Sequence, residues 1–328
     1  MRIIALAVLL ACAAGFPAQA RDVFSQRTDV KTFIRDMAER HAFPESELQF
    51  LFTRARRIES VLKAITPPKD PRGRSWRIYR ERFVNEVRIG EGLVFWSRHA
   101  DVLARAAEAY GVPEEIIVAI IGVETLYGRN AGSFRVIDAL STLAFHYPPR
   151  ASYFRSELEQ YLLFTRDAGL DVFSVKGSYA GAIGIPQFMP GSYRRFAVDF
   201  DGDGTIDLRG SPADAVGSVA NFLREHGWLR GELVQLPAQV SGDAHHVMLE
   251  AGILPGRFTL ASLREHGVGT RSSLPLDTAV ALIDLPTPGA ATEYRLGLRN
   301  FYVLTRYNRS SFYAAAVHDL AQELRQRR

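Results

Sequence analysis

Residues 113–128 read PEEIIVAIIGVETLYG, and the reading of the fold starts from them. Pro113 stands where the first N–H of a helix would lack an intrahelical partner. Glu114 and Glu115 follow at the positive end of the dipole, so a helix opens here. Ile116 to Val123 is apolar on every face. A helix without a polar face is buried all round, which puts this segment at the centre of a helical core. Gly128 is expected to end it. Just before that end stands one carboxylate, Glu124. A carboxyl at the close of a buried helix loses hydration, which disfavours its charged form and raises its pKa. That is the property of a general acid working near neutrality. The plainer alternative is a structural glutamate paired to an arginine, with Arg129 the nearest in sequence.

Working outward, residues 25–66 read as helical. Leu48, Leu51, Phe52, Ala55, Ile58, Val61 and Leu62 recur at three- and four-residue spacing, which predicts one amphipathic helix over 45–65. Pro67 and Pro68 stop it, and 69–73 is a loop. A second helical block runs from Trp76 to about Tyr110, with a break expected near Gly90 or Gly92. Further helices are expected at 152–168 and 212–226. After Trp228 the chain turns rich in Gly, Pro and Thr, with β-type runs at 233–236, 279–285 and 294–298. It returns to helix from Ser311, and the charged residues 323–328 read as a fraying end. The fold class is α+β and mostly helical: an N-terminal helical subdomain (21–110), a core (111–228), a small β-containing insert (229–300) and a C-terminal segment (301–328) that rejoins the helical part.

The first twenty residues read as a signal peptide. Arg2 is the positive start, Ile3 to Phe16 an apolar run too short for a comfortable membrane span, and Ala18-Gln19-Ala20 a small-x-small cleavage pattern. A mature protein in the periplasm is expected. The alternative is an outer-membrane lipoprotein anchored through Cys12, the one cysteine in the chain. If cleavage follows Ala20, no thiol or disulfide chemistry remains. The formal net charge of +4 is modest and no basic stripe is present, which argues against nucleic acid as partner.

Three further stretches carry chemistry. Residues 176–190 (KGSYAGAIGIPQFMP) combine glycines that let a backbone approach a ligand with Ser178, Tyr179, Gln187 and Phe188, whose polar groups and rings suit a sugar. A tight structural turn would use the same glycines. Residues 199–207 (DFDGDGTID) match the first half of a calcium loop. Asp199, Asp201 and Asp203 stand at positions one, three and five, Gly204 at six and the Thr205 carbonyl at seven. Position twelve is Gly210 in place of glutamate, so Asp214 is the candidate closing carboxylate, and a metal-free acidic turn is the alternative. Residues 300–308 (NFYVLTRYN), with Tyr313 beyond, read as a strand-like entry into a polar aromatic cluster. The histidines show no metal spacing, and His245-His246 reads as surface.

Together these stretches resemble the lytic murein transglycosylase B family. The agreement lies at 120–128, 138–148, 176–190, 199–207, 214–228 and 301–313, and it spans nearly all of the chain after the leader. The resemblance implies a lysozyme-like catalytic core with Glu124 as the catalytic glutamate. It implies that Ser178, Gln187 and Phe188 line sugar subsites and that Tyr79, Arg150, Tyr307, Asn308 and Tyr313 occupy further groove positions. It also implies a calcium site closed by Asp214. Two departures stand out. The aspartate loop is one residue longer before Asp214, and Pro149 replaces the basic residue often found before Arg150.

The implied substrate is the glycan strand of peptidoglycan. Glu124 would protonate the glycosidic oxygen after N-acetylmuramic acid and then take the proton of that sugar's own C6 hydroxyl as it closes a 1,6-anhydro ring. Ordinary glycosidases need a second carboxylate; an internal hydroxyl at high effective concentration does not. The rivals are a hydrolytic muramidase and a calcium-dependent peptidoglycan-binding protein without turnover. A monomer is expected, with calcium as a structural ion, no organic cofactor, and cell-wall synthesis proteins as candidate partners.

Overall fold

The computed structural model describes residues 24–67, 75–254 and 256–328. The leader, Cys12 and the loop at 69–73 lie outside them. The chain divides into two compact units between Arg57 and Ile58. In the first, a 3-10 turn at Phe24–Gln26 precedes α1 (Thr28–His41) and α2 (Glu45–Arg54). α1 buries Val30, Phe33, Ile34 and Met37, and α2 buries Leu48, Leu51 and Phe52. The helix expected to run unbroken over 45–65 stops at Arg54 and resumes as α3 (Glu59–Ile65). Between them Ala55 is extended, at ψ 145°. The Ile58 N–H donates to the Thr142 hydroxyl at 3.0 Å, so a tertiary hydrogen bond takes the place of an intrahelical one.

In the second unit, α4 (Trp76–Phe83), α5 (Glu86–Arg98) and α6 (Ala100–Tyr110) occupy the expected helical block. The breaks fall at Val84-Asn85 and His99, not at Gly90 or Gly92. Asn85 starts α5 by accepting from the Arg88 N–H at 3.0 Å. Gly92 sits inside α5 because a Cβ there would run into the Tyr127 hydroxyl. α7 (Glu114–Thr125) is the expected central helix, with every residue from Ile116 to Val123 buried. It packs on α5, α6 and two later helices, α11 (Pro212–Glu225) and α15 (Ser311–Arg327).

Between α7 and α11 lie β1 (Phe134–Arg135), α8 (Val136–His146), α9 (Ala151–Asp167), β2 (Lys176–Gly177) and α10 (Pro190–Phe196), and β1 pairs with β2. The strand-rich segment holds β3 (Gln235–Val240), α12 (His246–Glu250), β4 (Phe258–Thr259), α13 (Leu260–Glu265), β5 (Val268–Gly269), β6 (Ala279–Leu285) and β7 (Glu293–Gly297). Its strands form one antiparallel sheet in the order β4-β6-β7-β3-β5. The sheet has its own apolar core, in which Leu260, Leu263, Val280, Leu282 and Leu296 are buried. His245 belongs to the buried residues here and not to the surface, with its ring bonded to the Gly242 carbonyl and the Tyr294 hydroxyl.

Two expectations at the C-terminus are corrected. The strand-like entry at 300–308 is helix α14 (Arg299–Tyr307). Phe301, Val303 and Leu304 are buried in it while Arg306 is half-buried, a one-sided pattern that a helix accommodates despite the β-branched and aromatic residues. α15 does not fray at 323 but continues to Arg327, held by the pairs Arg327–Glu86 and Arg328–Glu114.

Candidate active site

Glu124 is the penultimate residue of α7 and is partly reachable from solvent. The helix does not run on to Gly128. It stops at Thr125, and Leu126 and Tyr127 both take left-handed conformations at φ 51° and 58°. Neither is glycine, so the turn is strained and its neighbours must hold it. The Thr125 hydroxyl donates to the Ile185 carbonyl at 2.8 Å and accepts from the Gly128 N–H at 2.9 Å. The Tyr127 hydroxyl donates to the Arg88 carbonyl at 2.9 Å, and Arg88 Nε donates to the Gly122 carbonyl at 2.8 Å. Without a Cβ, Gly92 and Gly122 leave room for that hydroxyl. The end of α7 is thereby tied to the 176–190 loop and to α5.

Arg129 is not the partner of Glu124; it pairs with Glu91 at 2.5 Å. The Glu124 carboxyl receives instead the Tyr313 hydroxyl, which donates to Oε1 at 2.7 Å. Burial pushes the pKa of Glu124 up to about 7, and the Tyr313 bond pulls the other way. The negative end of the α7 dipole adds to the upward push. Among the described residues no second carboxylate contributes to the shift. Tyr79, Tyr307 and Tyr313 all feel the charge of Glu124, and burial together with that charge raises the Tyr79 phenol to about 12. Tyr307 and Tyr313 stack at 6.3 Å between centroids, and the Tyr307 hydroxyl donates to the Pro186 carbonyl at 2.6 Å. Helices α4, α14 and α15 thus bring three phenols around one carboxyl. Nothing in the sequence spacing of 79, 124, 307 and 313 marks them as neighbours.

The other expected groove residues divide. Gln187 stands in a left-handed turn (φ 52°), and its amide donates to the carbonyls of Ala131 and Gly184. The Ser178 hydroxyl accepts from the N–H groups of Ala180 and Ala182. Both side chains therefore shape the loop, and Tyr179 is exposed beside them. Phe188 is 2% exposed, its ring packed on Phe222 and Tyr307, so it lies behind Tyr307 and offers no open face. Arg150 is exposed, with its guanidinium 4.5 Å from the centroid of Tyr153. Asn308 and Tyr79 line a cleft of about 1130 Å³ whose far wall is the β6–β7 connection. That wall was not foreseen from the sequence.

In the aspartate loop, Asp199, Asp201 and Asp203 can bring one oxygen each within 4.8 Å of one another. Asp199 accepts from the Gly202 and Gly204 N–H groups, and Asp203 from that of Thr205. Asp201 accepts from the Ser211 hydroxyl, which with further hydrogen bonds holds its pKa below the ordinary value. Asp214 is buried at the start of α11, and its two oxygens accept from the Phe200 and Asp207 N–H groups, stitching the loop to that helix. A cluster of hard oxygen donors fits a calcium ion.

The Transglycosylase SLT domain family matches residues 25–322. The chain belongs to this family. Membrane-bound lytic murein transglycosylase B of Escherichia coli (strain K12) is 42% identical over 311 residues, which is 91% of this chain and 83% of that protein. The crystal structure of soluble lytic transglycosylase SltB1 from Pseudomonas aeruginosa matches with a TM-score of 0.84 at 46% identity, over 91% of this chain and 99% of that one. Escherichia coli lytic transglycosylase Slt35 in complex with calcium matches with a TM-score of 0.81 at 41% identity, over 93% of this chain and 95% of that one. The mostly helical α+β architecture with a lysozyme-like core is thereby that of lytic transglycosylases.

Proposed function

We propose that the chain cleaves the β-1,4 bond between N-acetylmuramic acid and N-acetylglucosamine in peptidoglycan without water, with Glu124 as acid and then base. The observation that carries this is the half-buried carboxyl at the end of α7 that accepts the Tyr313 hydroxyl, with burial raising its pKa to about 7 and no other carboxylate among the described residues contributing to that shift. Protonated Glu124 gives its proton to the glycosidic oxygen as the bond to C1 breaks. The C6 hydroxyl of the same sugar bonds to C1, and its proton returns to Glu124. The products are a 1,6-anhydromuramic end and a new 4-hydroxyl, with no water consumed. Tyr313 orients the carboxyl and supports its anionic form between the two transfers, while Tyr79 and Tyr307 narrow the space around it. Tyr79 and Asn308 supply the groove side, and Arg150 a cationic edge. Mass spectrometry of digested sacculi tests the reading. Anhydro ends are expected; hydrated reducing ends alone would make the enzyme a hydrolytic muramidase, and no cleavage would leave a binding protein.

Asp199, Asp201, Asp203, the Thr205 carbonyl and Asp214 would hold a calcium ion that neutralises the loop and takes no part in bond cleavage. A periplasmic location after cleavage at Ala20 follows from the leader pattern, and N-terminal sequencing tests it against acylation at Cys12. Among the described residues no helix is long and apolar enough to cross a membrane.

A further inference from the structure

The cleft beside Tyr79 carries charges that the reaction does not use. Asp284, near the end of β6, is half-buried on the cleft wall. Its carboxylate has no ion pair or side-chain hydrogen bond among the described residues. Arg82 on α4 and Arg309 after α14 line the same cleft, and neither is paired with a carboxylate there. The Arg82 guanidinium lies 5.5 Å from the centroid of the Phe83 ring. A half-buried carboxylate with no protein partner on a cleft wall is open to a cationic group that enters the cleft.

The wall is also held in place. The Trp76 N–H donates to the Pro286 carbonyl at 2.8 Å, and the Arg77 N–H to the Thr287 hydroxyl at 3.2 Å. The Trp76 indole donates to Glu293 at 3.0 Å. The start of α4, which carries Tyr79, is therefore bonded to both sides of the β6–β7 connection. A charged group on this wall is thereby held in a fixed place relative to Tyr79, which is the requirement for selective recognition as opposed to loose attraction.

We propose that the β6–β7 connection is a substrate-reading wall of the cleft and that Asp284 binds an ammonium group on a peptide whose carboxylates face Arg82 and Arg309. This rests on the peptidoglycan reading above and names the part of the polymer recognised. Stem peptides carry carboxylates together with a side-chain amine that is cationic until it is acylated in a cross-link. Asp284 then favours stems whose amine is still free, because acylation turns it into a neutral amide.

The test is binding of a single disaccharide–peptide unit to the full chain, measured by calorimetry. One form carries the free amine and the other carries it acetylated. This ligand has no internal bond of the type cleaved, so the readout is independent of turnover. Acetylation is expected to weaken binding by about tenfold, the size of one charge-assisted contact at a partly open site. Asp284→Asn, nearly isosteric, is expected to bind both forms alike, and Asp284→Glu to retain the preference. Melting curves check that each variant is folded. Equal binding of the two forms by the unaltered protein, or undiminished preference in Asp284→Asn, overturns the proposal. Normal discrimination without any anhydro product would overturn the transglycosylase reading and leave this one standing.

Discussion

In the proposed reaction one side chain, Glu124, holds two demands in tension: it must be protonated to cleave and must accept a proton to finish. A pKa of about 7 allows both. Glu124→Gln keeps the shape and removes the proton, so cleavage of sacculi is expected to fall by about a hundredfold or more in a protein that still melts cooperatively. Since the acid form starts the reaction, kcat/KM should hold on the acid side and decline as pH rises above about 7. A profile measured from pH 5 to 9 that rose through this range would contradict the role. Stability carries the same signature. The folded value of about 7 lies above the ordinary 4.5, so the folded state binds the proton more tightly than the unfolded chain does. The contribution of Glu124 to stability is greatest below 4.5 and is lost as pH rises through 7. Glu124→Gln should therefore gain in melting temperature over the parent between pH 5 and pH 8. Because one pKa unit is about 1.4 kcal/mol, the gain is on the order of 3 kcal/mol at most.

Among the elements, the aspartate loop and the turn after α7 are two that local physics leaves under strain. Asp199, Asp201 and Asp203 crowd like charges, eased only by N–H groups and the Ser211 hydroxyl. A calcium ion bound only to the folded state would raise stability by about 2.7 kcal/mol at a hundredfold excess over its dissociation constant. Chelator should lower the melting temperature, and Asp203→Ala should remove that response. Identical melting in excess chelator and in millimolar calcium would mark the loop as an acidic turn. Asp214 should behave differently from the other three. It accepts the Phe200 and Asp207 N–H groups from a buried position, so Asp214→Ala is expected to destabilise even without calcium.

Across the whole second unit, Asp319 on α15 ties the sheet to the helices that line the site. It accepts from Arg80 of α4 at 2.7 Å and, through both oxygens, from Arg295 of β7. Burial acts to raise its pKa, but the neighbouring His318 and the bonds from Arg295 and Arg80 outweigh it and hold the carboxyl well below its ordinary value. The stabilisation is present above the ordinary value of 3.8 and is lost as pH falls through the lower folded one. Asp319→Ala leaves Arg295, beneath the Trp76 ring, with Glu293 as its remaining partner, and a loss of about 1–3 kcal/mol is expected in denaturant unfolding. An unchanged midpoint would show that the sheet is held by its apolar contacts alone.

The sequence by itself determined the central helix, because Ile116 to Val123 admits no exposed face. It singled out Glu124 as the proposed acid, because one carboxylate ends that helix, and it marked the aspartate loop, whose acidic residues lie at fixed local spacing. Helices α9, α11 and α15 and strands β6 and β7 were legible for the same reason: their periodicity is local. Tertiary structure decided what depends on distant partners. It split the helix expected over 45–65 by giving the Ile58 N–H to Thr142, and it made residues 299–307 a helix despite their strand-like composition. It put Phe188 behind Tyr307 and not in the open groove. It brought Tyr313 to Glu124 across 189 residues, and it closed the cleft with a connection between two strands that no motif had singled out. Periodicity and caps act within a few residues, whereas the pKa of a buried carboxyl and the walls of a cleft are set by whatever packing brings within a few ångströms.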